Sequence, residues 1–504
     1  MLPSEKELEL QLQATALTNG GFTKKRSATR KTAPQIVATI AFGMLIFGVS
    51  AICVMPTIVI GALYKEHNES EIHITAQQAS WFGSIVYIAQ PLGSVSSGFL
   101  QEIFGRRRCM MAVNIPQVIG WAILCFSQKV EQLYIGAVIM GLSVGFMEAP
   151  AMSYLGEVCE PRLRGTLSSF SETFLLVGIL FEFFIGAVLY WRYACAASAL
   201  IPVGAFILIY IIPESPTWYV VKDRIPEAEK SLMWLRGWVT KEEVNQELTD
   251  LVNDIKSSNK EQYISVPTSE CCAKHNNPVS VWDQVKLLKE ARIYRPIILV
   301  GLFFFIGHCT SLLGMRPFLV KVFADSNMSL SPYTVLVITG LLQAIGSVVC
   351  VIAIHRMGKR KLAFTSLIIC LIGLLCLAIY MLLALNYPWI PLVMFGLIFF
   401  GGGVGVMTLP WVLVCEIFPL DARGISAGLA AASSYIFGFF VTKTYVDLVW
   451  LMGVPGVLLL YFCIGVIGLV YLYFKLPETE GKSLTEIEEY FKTEPRAPCQ
   501  TLPT

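Results

Sequence analysis

Glu157-Val158-Cys159-Glu160-Pro161-Arg162-Leu163-Arg164-Gly165 is a charged turn between two apolar runs, and it recurs as Glu416-Ile417-Phe418-Pro419-Leu420-Asp421-Ala422-Arg423-Gly424. In each copy a Glu ends one hydrophobic segment, an Arg seven positions later begins the next, and a Pro between them interrupts the helix. The two arginines lie 423 − 164 = 259 residues apart.

Two more pairs of segments repeat at almost the same interval. Gly105-Arg106-Arg107 returns as Gly358-Lys359-Arg360 after 253 residues, and Pro213-Glu214-Ser215 returns as Pro477-Glu478-Thr479 after 264. Half of the 504-residue chain is 252 residues. The chain therefore consists of one unit written twice, and such duplicated halves are typical of transporters with a pathway between the halves.

The composition excludes a water-soluble globular protein. Hydrophobic residues make up 55% of the chain and charged residues only 15%, whereas soluble domains carry about 25% charged residues. The net charge of +2 is spread over short loops, which argues against a nucleic-acid partner. We find no nucleophile with a base, no phosphate-binding loop and no spacing typical of a metal site, so we expect no enzyme activity, no cofactor and no metal.

Segments of roughly 20 apolar residues are needed to cross a bilayer. The sequence contains twelve, at about 35–60, 80–101, 109–127, 132–155, 166–190, 192–212, 295–322, 332–354, 362–384, 390–415, 425–446 and 452–475. They predict an all-α polytopic membrane protein with twelve transmembrane helices in two six-helix bundles.

Five regions follow from these spans: an N-terminal tail (1–34), a first bundle (35–212), a linker (213–293), a second bundle (294–476) and a C-terminal tail (477–504). Within the linker, Glu227 to Trp238 and Glu242 to Ile255 have helical periodicity, and Pro477 to Phe491 predicts an amphipathic helix.

Basic residues indicate the orientation in the membrane. Arg106, Arg107, Arg108 and Arg423 lie in loops on the same side as the basic N-terminal tail, which predicts cytoplasmic termini in a plasma-membrane protein. The Asn-x-Ser sequons at Asn68 and Asn327 fall on the opposite, extracellular side, where glycosylation occurs.

Together these motifs resemble the sugar porter branch of the major facilitator superfamily. The matching segments are Gly98, Glu102 and Gly105-Arg106-Arg107, the two Glu-x6-Arg turns, Pro213-Glu214-Ser215-Pro216 with Trp218, Pro410-Trp411, and Pro477-Glu478-Thr479-Glu480-Gly481. Within the branch the chain is most similar to the insect facilitated trehalose transporter group, in Phe42-Gly43-Met44, Arg164-Gly165-Thr166-Leu167 and Val441-Thr442-Lys443-Thr444.

The resemblance implies facilitative transport of a sugar by alternating access. It also implies an ionic latch on the cytosolic face, for which Arg supplies a rigid fork of donors to a carboxylate. The latch residues are Glu102, Arg106, Arg107, Glu157, Arg164, Arg360, Glu416 and Arg423. Positive charges that only set the topology are the alternative interpretation.

The same resemblance places a sugar site near the bilayer midplane. The implied substrate-binding residues are Glu172, His308, Gln343, Thr408, Trp411, Ser434 and Tyr435. Several depart from the family: its Gln pair in the seventh span falls on Gly307-His308, the following Asn on Leu313, and its Asn-Trp in the eleventh span on Ser434-Tyr435. These changes leave open a substrate other than an ordinary hexose or trehalose.

Ionisable residues inside the spans are costly unless they face a partner or a wet cavity. They are Glu148, Glu172, Glu182, His308, Arg316 and Lys443. We expect Glu172 and His308 to line the cavity, and an ion pair between helices that involves Arg316 is the alternative. The first span carries Ser50 where proton-linked relatives carry Asp, which favours facilitated diffusion.

The expected partners are a small sugar-like solute and the lipid bilayer, and a monomer suffices. A transport-inactive nutrient sensor with the same fold is the alternative function. The eroded sugar contacts favour it, whereas a linker of ordinary size and a short tail argue against it.

Overall fold

The computed structural model describes residues 28–65, 72–158, 161–264, 288–326, 328–419, 423–480, 482 and 484–492. Within these ranges a few side chains lie outside the description, among them those of Arg164, Glu172 and Arg423. The secondary structure of the described part is helical throughout.

The first half comprises eight helices: α1 Ala28–Lys65, α2 Ala76–Phe104, α3 Arg106–Ala112, α4 Asn114–Cys125, α5 Val130–Val158, α6 Pro161–Val188, α7 Trp191–Ser198 and α8 Leu200–Ile211. The linker forms α9 Pro216–Val221, α10 Ile225–Leu235 and α11 Lys241–Ile264, which confirms its predicted short helices.

The second half begins with α12 Ala291–Thr310, a 3-10 turn Arg316–Phe318 and α13 Leu319–Asp325. It continues with α14 Pro332–Met357, α15 Lys359–Leu382, α16 Trp389–Gly401, the π-helix Gly402–Val406, α17 Leu409–Glu416 and α18 Arg423–Lys475. The predicted C-terminal amphipathic helix is α19, Leu484–Lys492.

The twelve predicted spans correspond to these helices. Nine helices in the described part are long and apolar enough to cross a membrane, and the longest, Ile425–Lys475, is bent at Gly453 and supplies two spans. The second and fifth spans correspond to α2 and to α6, whose shorter apolar part is Thr173–Val188.

Helix α2 illustrates how a span combines an apolar outer face with a polar inner one. Its outer stripe comprises Trp81, Ile88, Leu92, Val95, Phe99 and Ile103, all exposed. Its buried face carries Ser80, Ser84, Gln90 and Ser97. Because lipid replaces water around the protein, apolar side chains face outward and polar ones face other helices. The polar face of α2 therefore lies toward the middle of the molecule.

Small residues bring α2 and α5 into close contact. A Cβ on Gly145 would collide with the carbonyl of Gln90, and one on Gly141 would lie 2.5 Å from the carbonyl of Val86. Close approach through small residues is the usual way in which helices associate within a membrane. It brings Glu148 of α5 beside the polar face of α2.

Two interrupted spans in the second half position the candidate site. The seventh span breaks between α12 and α13, where Leu312 has φ 59° and Pro317 follows. The tenth changes from α16 to a π-helix at Gly402–Val406 and resumes at α17. Interrupted helices at membrane depth are typical of transporter binding sites.

Candidate functional site

His308 anchors one end of a row of polar and aromatic side chains near the middle of the spans. Its Nε2 lies 3.1 Å from both the carbonyl oxygen and the Oγ of Ser434, which joins α12 to α18. The ring stacks on Phe304 one turn earlier, with centroids 6.1 Å apart. His308 is 7% exposed, and its Nδ1 has no hydrogen-bond partner in the part of the chain that the structure describes.

The row continues through aromatic rings to the first half of the molecule. Phe304 meets Trp411 edge to face at 4.9 Å, and the Trp411 ring lies 6.2 Å from that of Tyr435. The hydroxyl of Tyr435 donates to Oε2 of Glu148 at 2.9 Å, and Ser94 donates to the same oxygen at 3.2 Å. The row therefore connects helices of both halves.

Gln343 and Thr408 lie beside the π-helix of the tenth span. A Cβ on Gly403 would collide with the carbonyl of Gln343, and Thr408 Oγ1 donates to the carbonyl of Gly403 at 3.3 Å. Gln343 Oε1 and Ser347 Oγ, one turn apart on α14, are buried without a hydrogen-bond partner in the described part of the chain. Buried polar atoms of this kind are available to a polar ligand.

The structure thus brings together four predicted site residues, His308, Trp411, Ser434 and Tyr435, and places Gln343 and Thr408 on neighbouring helices. The side chain of Glu172 lies outside the described residues, so its cavity role stays a prediction. Sequence analysis flagged Glu148 as a charge at membrane depth without assigning it to the site. Its contact with Tyr435 spans 287 residues, which a single sequence does not reveal.

One end of the molecule, which we call the closed end, joins the two halves. Ser80 donates to the carbonyl of Lys443 at 2.8 Å, Lys443 Nζ donates to Gln77 at 3.2 Å, and Gln77 donates to Asp447 at 2.6 Å. Nearer the site, Thr57 donates to the carbonyl of Arg316 at 2.9 Å. Within the described ranges, the hydrogen bonds between halves lie from the Tyr435 contact to this end.

The opposite end carries an ion cluster in the first half, made of Glu102, Arg106, Glu157, Glu214 and Ser215. Arg106 Nη2 lies 2.9 Å from Glu102 and 3.1 Å from Glu157, and Ser215 donates to Glu157. Glu214 accepts from the backbone N–H of Arg107 at 2.9 Å. This first-half cluster ties together the second, fourth and sixth spans.

The second half repeats the arrangement with Lys359, Glu416, Glu478, Thr479 and Glu480. Lys359 Nζ lies 2.7 Å from both Glu416 and Glu480. Glu478 accepts from the backbone N–H of Lys359 at 2.9 Å. Sequence analysis missed Lys359, although its position 253 residues after Arg106 was the available signal. We call these residues the second-half cluster.

Other predicted latch residues lie elsewhere. Arg107 donates to the carbonyls of Ile209 and Tyr210, and Arg360 donates to the carbonyl of Tyr473 at 2.7 Å. Both arginines therefore bind carbonyl groups at helix ends rather than carboxylates. The side chains of Arg164 and Arg423 and the sequons at Asn68 and Asn327 lie outside the described residues, so these predictions remain untested.

Within the described residues, no group of three His, Cys, Asp or Glu side chains forms a candidate metal site. The row is instead rich in hydroxyl and aromatic groups, which suit a polar organic solute.

Comparison with known proteins identifies the family. Residues 31–491 match the model of the "Sugar (and other) transporter" family. The chain is 29% identical over 489 residues to a facilitated trehalose transporter, Tret1, of Culex quinquefasciatus, which covers 95% of this chain and 90% of the relative. It is 30% identical over 474 residues to the Tret1 of Apis mellifera ligustica, which covers 93% of this chain and 90% of that relative.

Among solved structures, the chain resembles the xylose transporter XylE from E. coli in a partially occluded inward open conformation. The TM-score is 0.70 at 18% identity, over 91% of this chain and all of that one. This likeness confirms the major facilitator fold, and the family match confirms the resemblance that the duplicated motifs indicated. The chain is an integral membrane protein that belongs to the sugar (and other) transporter family.

Proposed function

We propose that this protein is a facilitative carrier for a solute of the sugar class, trehalose or a hexose among them, and that its two halves rock around the row from Glu148 to His308. The observation that carries the proposal is that this row connects both halves near the middle of the spans. A site shared by two halves changes its exposure when the halves rotate, which is the geometry of alternating access.

The chemistry of the surrounding residues supports a hydroxyl-rich solute. Gln343 Oε1 and Ser347 Oγ are buried without a hydrogen-bond partner among the described residues, and leaving such groups unpaired costs about 1–3 kcal/mol each. Sugar hydroxyls both donate and accept, so a bound sugar removes this cost. Trp411, further along the tenth span, offers an aromatic face.

The charge distribution supports an orientation. Because short basic loops remain in the cytosol, the end with the two ion clusters is cytosolic and the closed end is extracellular, in the plasma membrane. Among the described side chains, hydrogen bonds join the halves toward the closed end and each cluster forms ion pairs within its own half, which fits a carrier closed to the outside. In the first span, Ser50 donates to the carbonyl of Phe47 of its own helix at 2.8 Å, which supports uniport rather than proton symport.

Counterflow into proteoliposomes tests this function. We expect liposomes preloaded with trehalose or glucose to take up the same labelled sugar, with no change when a proton gradient is imposed. Gln343→Leu should lower uptake at least tenfold because it removes an amide from the site. Gln246→Leu is the matched control, since Gln246 lies exposed on α11 and bonds only to Asp250.

Two results would contradict the proposal. Folded protein that moves neither sugar is not a sugar carrier, and sugar binding without flux would indicate the sensor function instead. Uptake driven by a proton gradient would contradict the uniport mechanism alone.

A further inference from the structure

Arg316 is a buried cation in the seam between the two halves. It lies in the break of the seventh span, is 5% exposed, and its carbonyl accepts from Thr57 of the first half. Pro317, the next residue, packs against Gly83 of α2 in the first half, one turn before Tyr87. The charge therefore lies between the closed end and the row of site residues.

Among the described residues, no group occupies the edge of this guanidinium that best holds a carboxylate. Nε and Nη2 of Arg316 have no hydrogen-bond partner among the described residues. These two nitrogens present parallel N–H groups that match the two oxygens of a carboxylate. Arg236 uses the same edge in this chain: its Nε lies 3.0 Å and its Nη2 2.6 Å from oxygens of Glu247.

Glu148 is not positioned to neutralise Arg316. Its Oε2 accepts from Ser94, which lies seven residues beyond Tyr87 on α2, or about 10 Å along the helix. The other described buried carboxylate of the spans, Glu182, accepts from Ser198 inside the first half. Arg316 and Glu148 therefore occupy opposite ends of the site.

Glu172, whose side chain lies outside the description, belongs to a different level of the membrane. Gly178 of α6 lies against Ser50 of α1, and the two helices run in the same direction. Position 172 lies six residues, about 9 Å, from this contact toward the end with the two ion clusters. Thr57 lies seven residues, about 10 Å, from it toward the closed end. The backbone at position 172 therefore lies about 19 Å along the bundle from that at Thr57.

From this geometry we infer that the site takes a solute carrying a carboxylate, of the sugar-acid class, and that Arg316 binds that carboxylate. An unpaired charge at this depth is costly, and a ligand anion removes the cost when it binds. The row supplies the partners for the hydroxyls, and Arg316 supplies the counter-charge at its closed-end side. The inference rests on the proposed carrier function and narrows its substrate class.

Thermal shifts of the purified full-length protein in detergent test the inference. Sodium D-glucuronate, D-glucose, sodium phosphate and sodium chloride are titrated at equal ionic strength. We expect half-saturation by glucuronate at a concentration at least tenfold lower than by glucose, and weaker responses to the two inorganic anions. Arg316→Gln should abolish the preference for glucuronate, and Arg316→Lys should retain about a third of it because a point charge replaces the fork.

Lys443→Gln is the matched control. It removes a cation from the same seam, and this cation already has hydrogen-bond partners in Gln77 and Ser80. It should keep the full preference. If Arg316→Gln is not monodisperse, the glucuronate preference of Arg316→Lys decides the test. A preference for glucose, an equal response to phosphate or chloride, or a preference that survives in both Arg316 variants would overturn the inference.

Counterflow separates this inference from the carrier function. Glucose flux by a protein that does not prefer glucuronate refutes the carboxylate site and leaves the carrier standing. Failure of folded protein to bind or move any of these sugars refutes both.

Discussion

The first-half and second-half clusters are built on the same three segments but differ at the centre. Arg106 bridges two carboxylates in the first, and Lys359 bridges two in the second. The side chain of Glu157 is 18% exposed, whereas that of Glu416 is 39% exposed. The same duplicated scaffold thus holds a drier Arg106–Glu157 pair in one half and a wetter Lys359–Glu416 pair in the other, whereas the second carboxylates are reversed, with Glu102 53% and Glu480 29% exposed.

This difference indicates which half depends more on its charges. Removing the partner of a buried charge is expensive, because the remaining charge has no water around it. A carboxylate that water reaches loses much less. The first-half cluster should therefore be the more rigid one when the halves rock.

The largest effect is expected when each central cation is removed. Arg106→Met should destabilise the protein by about 3 kcal/mol, because it removes the positive charge beside the largely buried Glu157. Lys359→Met should cost about 1 kcal/mol, because water reaches Glu416. Thermal midpoints of the detergent-purified variants measure both, with Arg108→Met as an exposed control. Equal shifts in the two halves would remove the distinction between the clusters.

Replacing the glycine before each cation should give equal losses. Gly105 and Gly358 have φ 98° and 78° with ψ near 160°, and a Cβ at either would overlap the carboxylate of Glu214 or Glu478. This backbone region is open almost only to glycine, so each Ala variant should lose about 2 kcal/mol.

Gly428→Ala is the control for these substitutions, since nothing lies within 4 Å of its added Cβ. A loss of stability in only one half would show that the two turns are not equivalent. The difference between the clusters would then lie in the backbone as well as in the charges.

Exchanging the two cations should affect the first half alone. Arg106→Lys loses the Nε contact with Glu157, 3.2 Å in length, and should cost about 1.5 kcal/mol because a point charge replaces a fork. Lys359→Arg keeps the charge between Glu416 and Glu480 and should change stability by less than about 0.5 kcal/mol. Thermal midpoints again decide, and a larger loss for Lys359→Arg would contradict the prediction.

The clusters also show how much of the structure the sequence predicts. The repeat interval located both clusters. It could do so because apolar spans, Pro breaks and basic loops are local signals that the sequence shows directly. The interval did not predict which of the adjacent residues Lys359 and Arg360 pairs with Glu416. Consecutive helical residues point about 100° apart, and the conformation of Gly358 directs Lys359, rather than Arg360, toward Glu416.

The candidate site was less accessible to sequence reasoning. The row depends on which face of each span meets the other half, and in a membrane both lipid-facing and buried faces are largely apolar. Resemblance indicated His308, Trp411, Ser434 and Tyr435. Glu148 was not assigned, because its link to Tyr435 exists only once the two halves are packed together.

The smallest effects are expected from the hydroxyl that completes each cluster. Ser215 donates to Glu157 and also accepts from the N–H of Trp218 at 3.2 Å, whereas Thr479 Oγ1 lies 3.5 Å from Glu416. Ser215→Ala removes both bonds and should cost about 1 kcal/mol, and Thr479→Ala should cost about 0.3 kcal/mol because its bond is long. Combining Ser215→Ala with Arg106→Met sharpens the comparison, since two residues that stabilise the same carboxylate should be non-additive in their thermal shifts. Additive shifts would mean that Ser215 acts only as the cap of α9, and that the drier first-half cluster is held by its arginine alone.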